Sequence, residues 1–403
     1  MNTGRSGPGD RRRAWPPIVF LFVAFGIANA FNAVRKGGDF QVYLETGRRL
    51  LAAAPLYDGS SPGLGVTGTP LLASLFIPFA LLDAQSPLAA RLAWYAAGLL
   101  FLWFGVKHWS RSIDTASSLA RVGFPLICVL FPLQTNFEHQ NLNPLLLFLL
   151  GYAAFAFSRD RHAMGGVAIG TAAALKVFPA LLIVYLAYRR LWAAFAAAVG
   201  TAVALTLVPM LRYGPGAADQ FMAWWRISNG GWPTRSQNQS LVAAVDRAVT
   251  GFGEPHVTLS DTLLTPVVTA LLAVALIIAF VSATRRSPPT AAISREIATV
   301  TVLAVLLSPI AWDHYWVLVF PAFLVAFTDT AGQQWSRAAV WLAGVLTSAL
   351  TPLTLGRSLF DAVRERSPQT FAALILFVVL VVVVHWNASA AARPGPVGRP
   401  RLV

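Results

Sequence analysis

Charge is scarce in this chain of 403 residues: 12% are Asp, Glu, Lys or Arg, against roughly 25% in an average soluble protein. Acidic residues are the scarcer kind, 17 against 31 basic ones. So little charge excludes an ordinary water-soluble globule. Cysteine occurs once, at Cys128 within an apolar run, which excludes an intramolecular disulfide and a thiolate metal cluster. The chain has no P-loop, no GxGxxG after a strand and no GxSxG elbow, so nucleotide hydrolysis and serine-hydrolase chemistry have no footing. Glu138, His139 and His314 do not form an HExxH pair, and no Asp-x-Asp cluster lies outside the apolar runs; neither a metal nor a cofactor is expected. No repeat of 20 to 50 residues is visible.

What the chain has instead is apolar length. It is 56% hydrophobic with a mean hydropathy of +0.61. Runs such as Leu191 to Leu211 and Thr262 to Thr284 can cross a hydrocarbon core of about 30 Å as helices, the open-chain form that leaves no backbone group unpaired in lipid. The expected fold class is an all-α integral membrane protein. Hydropathy places about twelve spans, near residues 16–33, 88–106, 119–135, 143–158, 163–175, 177–189, 191–211, 261–284, 295–309, 313–328, 337–356 and 368–386, with ends uncertain by about four residues.

The formal charge of +14 does not point to nucleic acid, because the arginines fall in short clusters between apolar runs and form no stripe with interleaved aromatics. They fix the topology instead. Thr69 to Leu82, with Pro70 and Pro78, is short for a span. If it dips in and returns, the connections at Lys107 to Arg111, Arg159 to Arg161, Arg189-Arg190 and Arg285 to Arg295 all share the side of Arg11-Arg12-Arg13, as the positive-inside rule requires. Residues 1–15 then read as a basic cytoplasmic N-terminus, with the first apolar segment retained rather than cleaved as a signal. Residues 16–388 read as one transmembrane domain with long external loops near 34–87 and 212–260, the second carrying Trp224, Trp225 and Trp232. Residues 389–403 read as a disordered basic tail. Most unusual polar residues gather on the external side.

Three of those residues interrupt or border apolar stretches. Asp39 follows Gly37-Gly38 and opens a helix polar at Gln41, Glu45, Arg48 and Arg49; it reads either as a catalytic base or as a helix N-cap facing the dipole. Lys176, in Leu175-Lys176-Val177-Phe178-Pro179, would cost about 2.5–3.5 kcal/mol at membrane depth, so it faces an anion or a polar cavity, or snorkels to a headgroup. His314, between Asp313 and Tyr315 after the Ser308-Pro309 break, can move a proton or hydrogen-bond a phosphate or sugar, or be an interfacial histidine without a role.

These residues sit in a pattern: GGDFQVYLETGRRLLAAAPLYDG, then Thr69-Pro70 with an apolar hairpin, GGVAIGTAAALKVFPALLIVYLAYRRLW, Asn238-Gln239-Ser240-Leu241, and SPIAWDHYWV. It resembles the polyprenyl-phosphate-mannose-dependent mannosyltransferases of glycosyltransferase family 87, in the GT-C superfamily, from about residue 35 to 330. No single motif is specific; their order carries the resemblance. The resemblance implies a GT-C type bundle with external amphipathic helices and makes Asp39 the catalytic base. His314 matches the histidine of the family's Ser-Pro-x-x-Trp-x-His turn, with Asp313 beside it in the substrate-binding set. Lys176 matches a lysine-proline break, and Asn238, Gln239 and Ser240 match a polar external motif for donor or acceptor. Gln140 and Asn141 are placed with the substrate-binding residues, although the family shows Gly-Gln-x-Asn where this chain has His139-Gln140-Asn141-Leu142-Asn143.

The implied function is transfer of a sugar, mannose by resemblance alone, from a polyprenyl-phosphate donor to a hydroxyl of a glycolipid or polysaccharide, with inversion. The implied location is the extracytoplasmic face of the plasma membrane. Two rivals come from other classes: a secondary transporter, whose polar groups would lie at the midplane rather than on one face, and a flippase of lipid-linked sugars, which would move the donor without making a glycosidic bond.

Overall fold

The computed structural model describes residues 15–36, 38–57, 68–113, 119–229, 234–252, 262–285, 289–330 and 333–391. Expectations attached to Gly37, to Trp232 and to residues 1–14 and 392–403 lie outside these residues. Among the described residues regular structure is helical, with no strand and one isolated bridge, between Asn238 and Trp312.

The helices are α1 (Trp15–Lys36), α2 (Gly38–Leu51), α3 (Pro70–Gln85), α4 (Pro87–Ser112), α5 (Leu119–Cys128), α6 (Leu130–His139), α7 (Asn143–Phe157), α8 (His162–Leu175), α9 (Ala180–Tyr188), α10 (Trp192–Met210), α11 (Ala217–Asn229), α12 (Leu241–Thr250), α13 (Leu264–Thr284), α14 (Pro289–Leu307), α15 (Phe320–Asp329), α16 (Gln334–Gly344), α17 (Pro352–Leu355), α18 (Arg357–Glu365) and α19 (Pro368–Ala391). Short 3-10 turns cover Leu211–Gly216 and Asp313–Val319, and a π-helical turn follows α16 at Val345–Ala349.

The twelve stretches expected from hydropathy do not each appear as a span-length helix. Among the described residues four helices are long and apolar enough to cross a membrane: Pro16–Lys36, Pro87–Ser112, Trp192–Ile227 and Leu264–Thr284. A fifth arises if Arg357–Glu365 and Pro368–Val382, bent by 52°, form one span. The stretch expected at 119–135 is split into α5 and α6 at Val129, and α3, α7 and α8 are apolar but shorter. Breaks at Gln140, Lys176 and Ser308 to Trp312 fall at or beside the ends of expected stretches, and α6, α8, α9 and α15 are short, at 10, 14, 9 and 10 residues.

The Pro-bounded apolar segment forms a helical hairpin with the next span. Thr69 caps α3 through its hydroxyl, which accepts from the Leu72 N–H at 3.4 Å, and Pro70 takes the first helical position, where its missing N–H costs nothing. Ser86 closes α3 with its own N–H on the Leu82 carbonyl at 2.8 Å and opens α4 by accepting from Ala89 N–H at 3.3 Å. The amphipathic α2 packs across this hairpin, burying Phe40, Tyr43, Leu44 and Leu50, with Phe40 and Tyr43 ringing Phe76 of α3 at 6.0 and 4.9 Å between centroids.

Helices α8 and α10 pack backbone against backbone. A Cβ at Gly166 would lie 2.2 Å from the Ala194 carbonyl oxygen, and one at Gly170 2.3 Å from that of Ala198. Gly166→Leu is therefore expected to destabilise the protein by at least about 1–3 kcal/mol, the range for overpacking, read as lost monodispersity or a lowered Tm in detergent. Gly200→Leu, where nothing lies within 4 Å of the added Cβ, should leave both unchanged; equal behaviour of the two would remove the packing argument.

At the centre of the main hydrophobic cluster lie Trp316 to Phe320 and Ala322 to Ala326, all buried. The turn that begins at Asp313 is thus fixed by the core behind it. In front of it meet the ends of α6 and α8 and the start of α2.

Candidate active site

Asp39 stands in the first turn of α2, one residue past its start at Gly38. Its Oδ2 accepts from Asn141 Nδ2 at 2.7 Å, and His314 Nε2 lies 3.4 Å from the same oxygen. The Asp39 side chain keeps 32% of its surface exposed while that of His314 keeps 6%. One face of the carboxylate is therefore open to a ligand.

Asn141 reaches Asp39 because α6 stops abruptly. Gln140 takes the left-handed conformation, φ 53° and ψ 42°, uncommon for a residue with a Cβ, and it is clamped from both sides: its Nε2 donates to the Ala33 carbonyl at 2.9 Å and its carbonyl accepts from Trp94 Nε1 at 2.8 Å. Asn136 fastens the following residue, accepting from Asn141 N–H at 3.1 Å and donating Nδ2 to the Asn141 carbonyl at 3.2 Å. The amide nitrogen of the buried Gln140 side chain thus ties α6 to α1, while its oxygen is buried without a hydrogen-bond partner.

Lys176 sits at the end of α8 in extended backbone, φ −142° and ψ 139°. The preceding Leu175 carbonyl accepts from the Thr69 hydroxyl at 3.2 Å. The Lys176 ammonium donates to Asn141 Oδ1 and to Asn143 Oδ1, both at 3.0 Å, and stands 3.6 Å from the centroid of the Tyr315 ring. It does not snorkel away from the site. Although the side chain as a whole is partly exposed, its charged end is enclosed, and burial lowers the ammonium to about 7 with Asp39 opposing the shift.

Asn141 therefore bridges the two charges, its amide nitrogen on Asp39 and its amide oxygen on Lys176. Asn143 extends the bridge, donating to the His314 carbonyl at 2.8 Å and to Asn136 Oδ1 at 3.1 Å. The His314 Nε2 is buried without a conventional hydrogen-bond partner. His139 faces the His314 ring at 5.5 Å between centroids. It fits only because residue 38 is glycine: a Cβ there would lie 2.4 Å from His139 Nδ1.

Asp313, buried beside His314, is ion-paired with Arg364 of α18. Asn238, Gln239 and Ser240 are wholly buried and bind protein rather than open space. Asn238 donates to the Pro309 carbonyl at 3.0 Å and accepts from Ala311 N–H at 2.8 Å. Gln239 donates to the carbonyls of Ser236 at 2.6 Å and Arg364 at 2.9 Å, and Ser240 caps α12 on Ala243 N–H at 3.3 Å. Asp39, Asn141, Lys176 and His314 are thus brought into one cluster, whereas Gln140, Asn238, Gln239, Ser240 and Asp313 lie in its supporting layer.

Asn136, Asn143, Tyr315, His139 and Arg364 complete the arrangement without having been singled out from sequence as site residues. Asn136, His139 and Asn143 lie in the same polar turn as Asn141, a signal that was available; Arg364 had none. Among the described residues no group of three His, Cys, Asp or Glu side chains could hold a metal. On the other side of the Leu175–Lys176 break, an apolar cleft is lined by Tyr57, Thr69, Pro70, Val177, Met210 and Trp224.

A partly open carboxylate, an enclosed ammonium and an apolar cleft, gathered where helices start and stop, are the parts of a membrane-embedded enzyme. The family model of Glycosyltransferase family 87 matches residues 67–309; the chain belongs to that family and is a membrane glycosyltransferase. Asp39 lies before the matched region. Among relatives, the polyprenol-phosphate-mannose-dependent alpha-(1-2)-phosphatidylinositol mannoside mannosyltransferase of Mycobacterium tuberculosis (strain ATCC 25618 / H37Rv) is 27% identical over 376 residues, 86% of this chain and 84% of the relative. A polyprenol-phosphate-mannose-dependent alpha-(1-2)-phosphatidylinositol pentamannoside mannosyltransferase of the same species (strain CDC 1551 / Oshkosh) is 25% identical over 422 residues, 97% of this chain and 93% of the relative. No solved structure matches the chain.

Proposed function

We propose that this protein transfers mannose from a polyprenyl-phosphate donor to a hydroxyl of a phosphatidylinositol mannoside or related glycolipid, with inversion, on the extracytoplasmic face of the plasma membrane. The observation that carries the reading is the bridge Asp39–Asn141–Lys176, which holds a base and a cation apart on the two ends of one amide. The relatives' names supply the sugar, the lipid phosphate and the acceptor class.

In this mechanism the acceptor hydroxyl gives its proton to Asp39 as its oxygen attacks the anomeric carbon. The bond from that carbon to the phosphate oxygen breaks on the opposite face, and polyprenyl phosphate departs with the electron pair. Lys176 stabilises the charge that grows on it. A phosphate that is already anionic needs no general acid, which agrees with Asp39 being the one carboxylate here that is open to a ligand. Inversion of a β-linked donor would give the alpha linkage of the relatives' names. His314 Nε2 lies 3.4 Å from the Asp39 carboxylate without a hydrogen bond to it; protonated, it would pair with Asp39 and reduce its basicity.

In this reading the first isoprene units of the donor take the apolar cleft lined by Thr69, Pro70 and Val177, and its phosphate meets the Lys176 ammonium. Gln140, Asn238, Gln239, Ser240 and Asp313, assigned to substrate from sequence, are better read as positioning residues, because their side chains are buried and engaged with protein. The GT-C bundle of about twelve membrane segments, formed by residues 16–388 and flanked by basic termini, remains the topology that accommodates this site, with half-length helices counted as segments.

The reading is tested in membranes containing the protein, given polyprenyl-phospho-mannose labelled in the sugar, with and without phosphatidylinositol mannoside. The expected result is labelled glycolipid, formed only with acceptor and in step with donor consumption. Movement of labelled donor across the bilayer with no new glycosidic bond would replace the transferase reading by the flippase one.

A further inference from the structure

In the polar turn from Asn136 to Asn143 nearly every side chain that can hydrogen-bond is engaged by the protein itself. Asn136 holds Asn141 and Asn143. Glu138 accepts from Lys36 Nζ at 2.7 Å and from Gln134 Nε2 at 3.4 Å, and Gln140 ties α6 to α1. Asn141 and Asn143 are committed to Asp39, Lys176 and the His314 carbonyl. His139 differs. Its side chain is half-buried, neither ring nitrogen makes a hydrogen bond among the described residues, and, unlike His314 Nε2, neither is sealed from solvent. We infer that His139 is a substrate-binding residue, whose imidazole hydrogen-bonds a hydroxyl of the acceptor's terminal sugar next to the hydroxyl that attacks. The inference rests on the reading of Asp39 as the base given above.

The glycine that begins α2 places the ring. The Nδ1 edge of His139 packs on Gly38, where a Cβ would lie 2.4 Å from Nδ1 and 3.4 Å from Cε1, so Nε2 is the nitrogen further from that backbone. The other neighbour is the His314 ring, tilted by 38° at 5.5 Å between centroids. Gly38 directly precedes Asp39, and the imidazole therefore touches the backbone that carries the proposed base. Asp39 uses Oδ2 for both Asn141 and His314, which leaves Oδ1 without a partner among the described residues. Neighbouring hydroxyls of a sugar lie close together, so an acceptor whose one hydroxyl reaches this carboxylate brings the next within reach of the imidazole.

The donor is served from another direction. Lys176 and the Tyr315 ring lie beyond Asn141, whose amide oxygen holds the ammonium while its nitrogen holds Asp39. Displacement with inversion sets the attacking oxygen and the departing phosphate on opposite faces of the anomeric carbon. The acceptor therefore approaches Asp39 from a side other than that of the Asn141 amide. His139 meets α2 at Gly38 and the core turn at His314, not at that amide. Its chemistry suits a sugar hydroxyl, because a neutral imidazole offers one nitrogen that donates and one that accepts, and a hydroxyl can answer either.

The test uses the full-length protein in detergent or nanodiscs, with polyprenyl-phospho-mannose and phosphatidylinositol mannoside varied in turn. His139→Phe keeps a ring against Gly38 and His314 and removes both nitrogens. It is expected to raise KM for the acceptor about tenfold, the upper end for one hydrogen bond, and to leave kcat and KM for the donor within about twofold of wild type. The acceptor is then replaced by synthetic analogues that lack, one at a time, each non-reacting hydroxyl of the terminal mannose. At the hydroxyl that His139 meets, deoxygenation should cost the wild type about tenfold in kcat/KM and cost His139→Phe nothing further, as for two halves of one interaction. An acceptor KM unchanged in His139→Phe would make His139 a packing residue, and a rise confined to KM for the donor would put it on the other substrate. Either result overturns the inference, and so do deoxygenation losses that multiply in full with that of His139→Phe at every position. If His139→Phe is not monodisperse, His139→Ala with the same analogues decides by the same comparison, because the side chain is half-buried and makes no hydrogen bond that truncation would break. The reading beneath it fails by separate results, full activity in Asp39→Asn or movement of donor with no glycosidic bond formed.

Discussion

Asp39→Asn is expected to lower the rate of mannosyl transfer by about 10³-fold, the middle of the range for loss of a general base and equivalent to about 4 kcal/mol of transition-state stabilisation. The substitution keeps size and shape, and an asparagine at this position can still hydrogen-bond the Asn141 amide that now donates to Asp39 at 2.7 Å. What it loses is a site for the acceptor proton. The loss should therefore appear in kcat with little change in KM for the donor, and thermal stability in detergent should stay near wild type because the carboxylate is partly open. Initial rates with purified protein, saturating donor and a defined acceptor decide the matter, and full activity in a folded variant would remove Asp39 from the mechanism.

Lys176→Met is the second large effect. The ammonium is the one positive charge bound to Asn141, and removal of a preorganised charge-stabilising donor costs about 10²–10³ in kcat in other enzymes; a comparable loss is expected here. The pH dependence carries its signature. Burial lowers the group to about 7 in the free protein, so the charge is present below that pH and disappears above it. The alkaline limb of kcat/KM is expected near 7, and that of kcat at higher pH, because a bound phosphate favours the ammonium. In Lys176→Met the alkaline limb should be absent; its persistence would assign it to another group. The same shift sets the sign for stability. Between about 7 and 10.5 the unfolded chain holds a proton that the folded chain has released, so this residue's contribution to stability rises with pH across that window.

These effects converge on a cluster only part of which could be read from the chain. Asp39, Lys176 and His314 announced themselves because each is polar where its surroundings are apolar, and the cost of burying such a group demands a partner. The partner could not be read in the same way. Asn141 lies 102 residues from Asp39 and 35 from Lys176, and what makes it a bridge is the left-handed stop at Gln140, which follows from contacts with Ala33 and Trp94. Asn238, Gln239 and Ser240 show the converse. Their polarity was visible and suggested substrate, yet all three are buried against the Pro309 to Ala311 turn, the corner at Arg364, or the start of α12. A polar motif in an apolar chain must satisfy its hydrogen bonds, and whether backbone or ligand does so depends on what folds over it.

Counting spans met a similar limit. Hydropathy registers apolar length, but α5 and α6 are separated by one residue at Val129, and the resulting helix directions come from packing rather than composition.

By itself the sequence determined that this is an all-helical membrane protein of a glycosyltransferase family, because apolar composition leaves the backbone no other way to pair in lipid and the order of five motifs is a property of the chain. It also determined which three side chains were too polar to be idle. Only the tertiary structure decided that Asp39, Asn141, Lys176 and His314 share one site, that Asp313 is ion-paired with Arg364, and that the Asn238 motif is buried against the turn before His314. Those approaches span from 35 residues of chain, Asn141 to Lys176, to 275, Asp39 to His314, and side-chain geometry over such separations is set by how the broken helices pack.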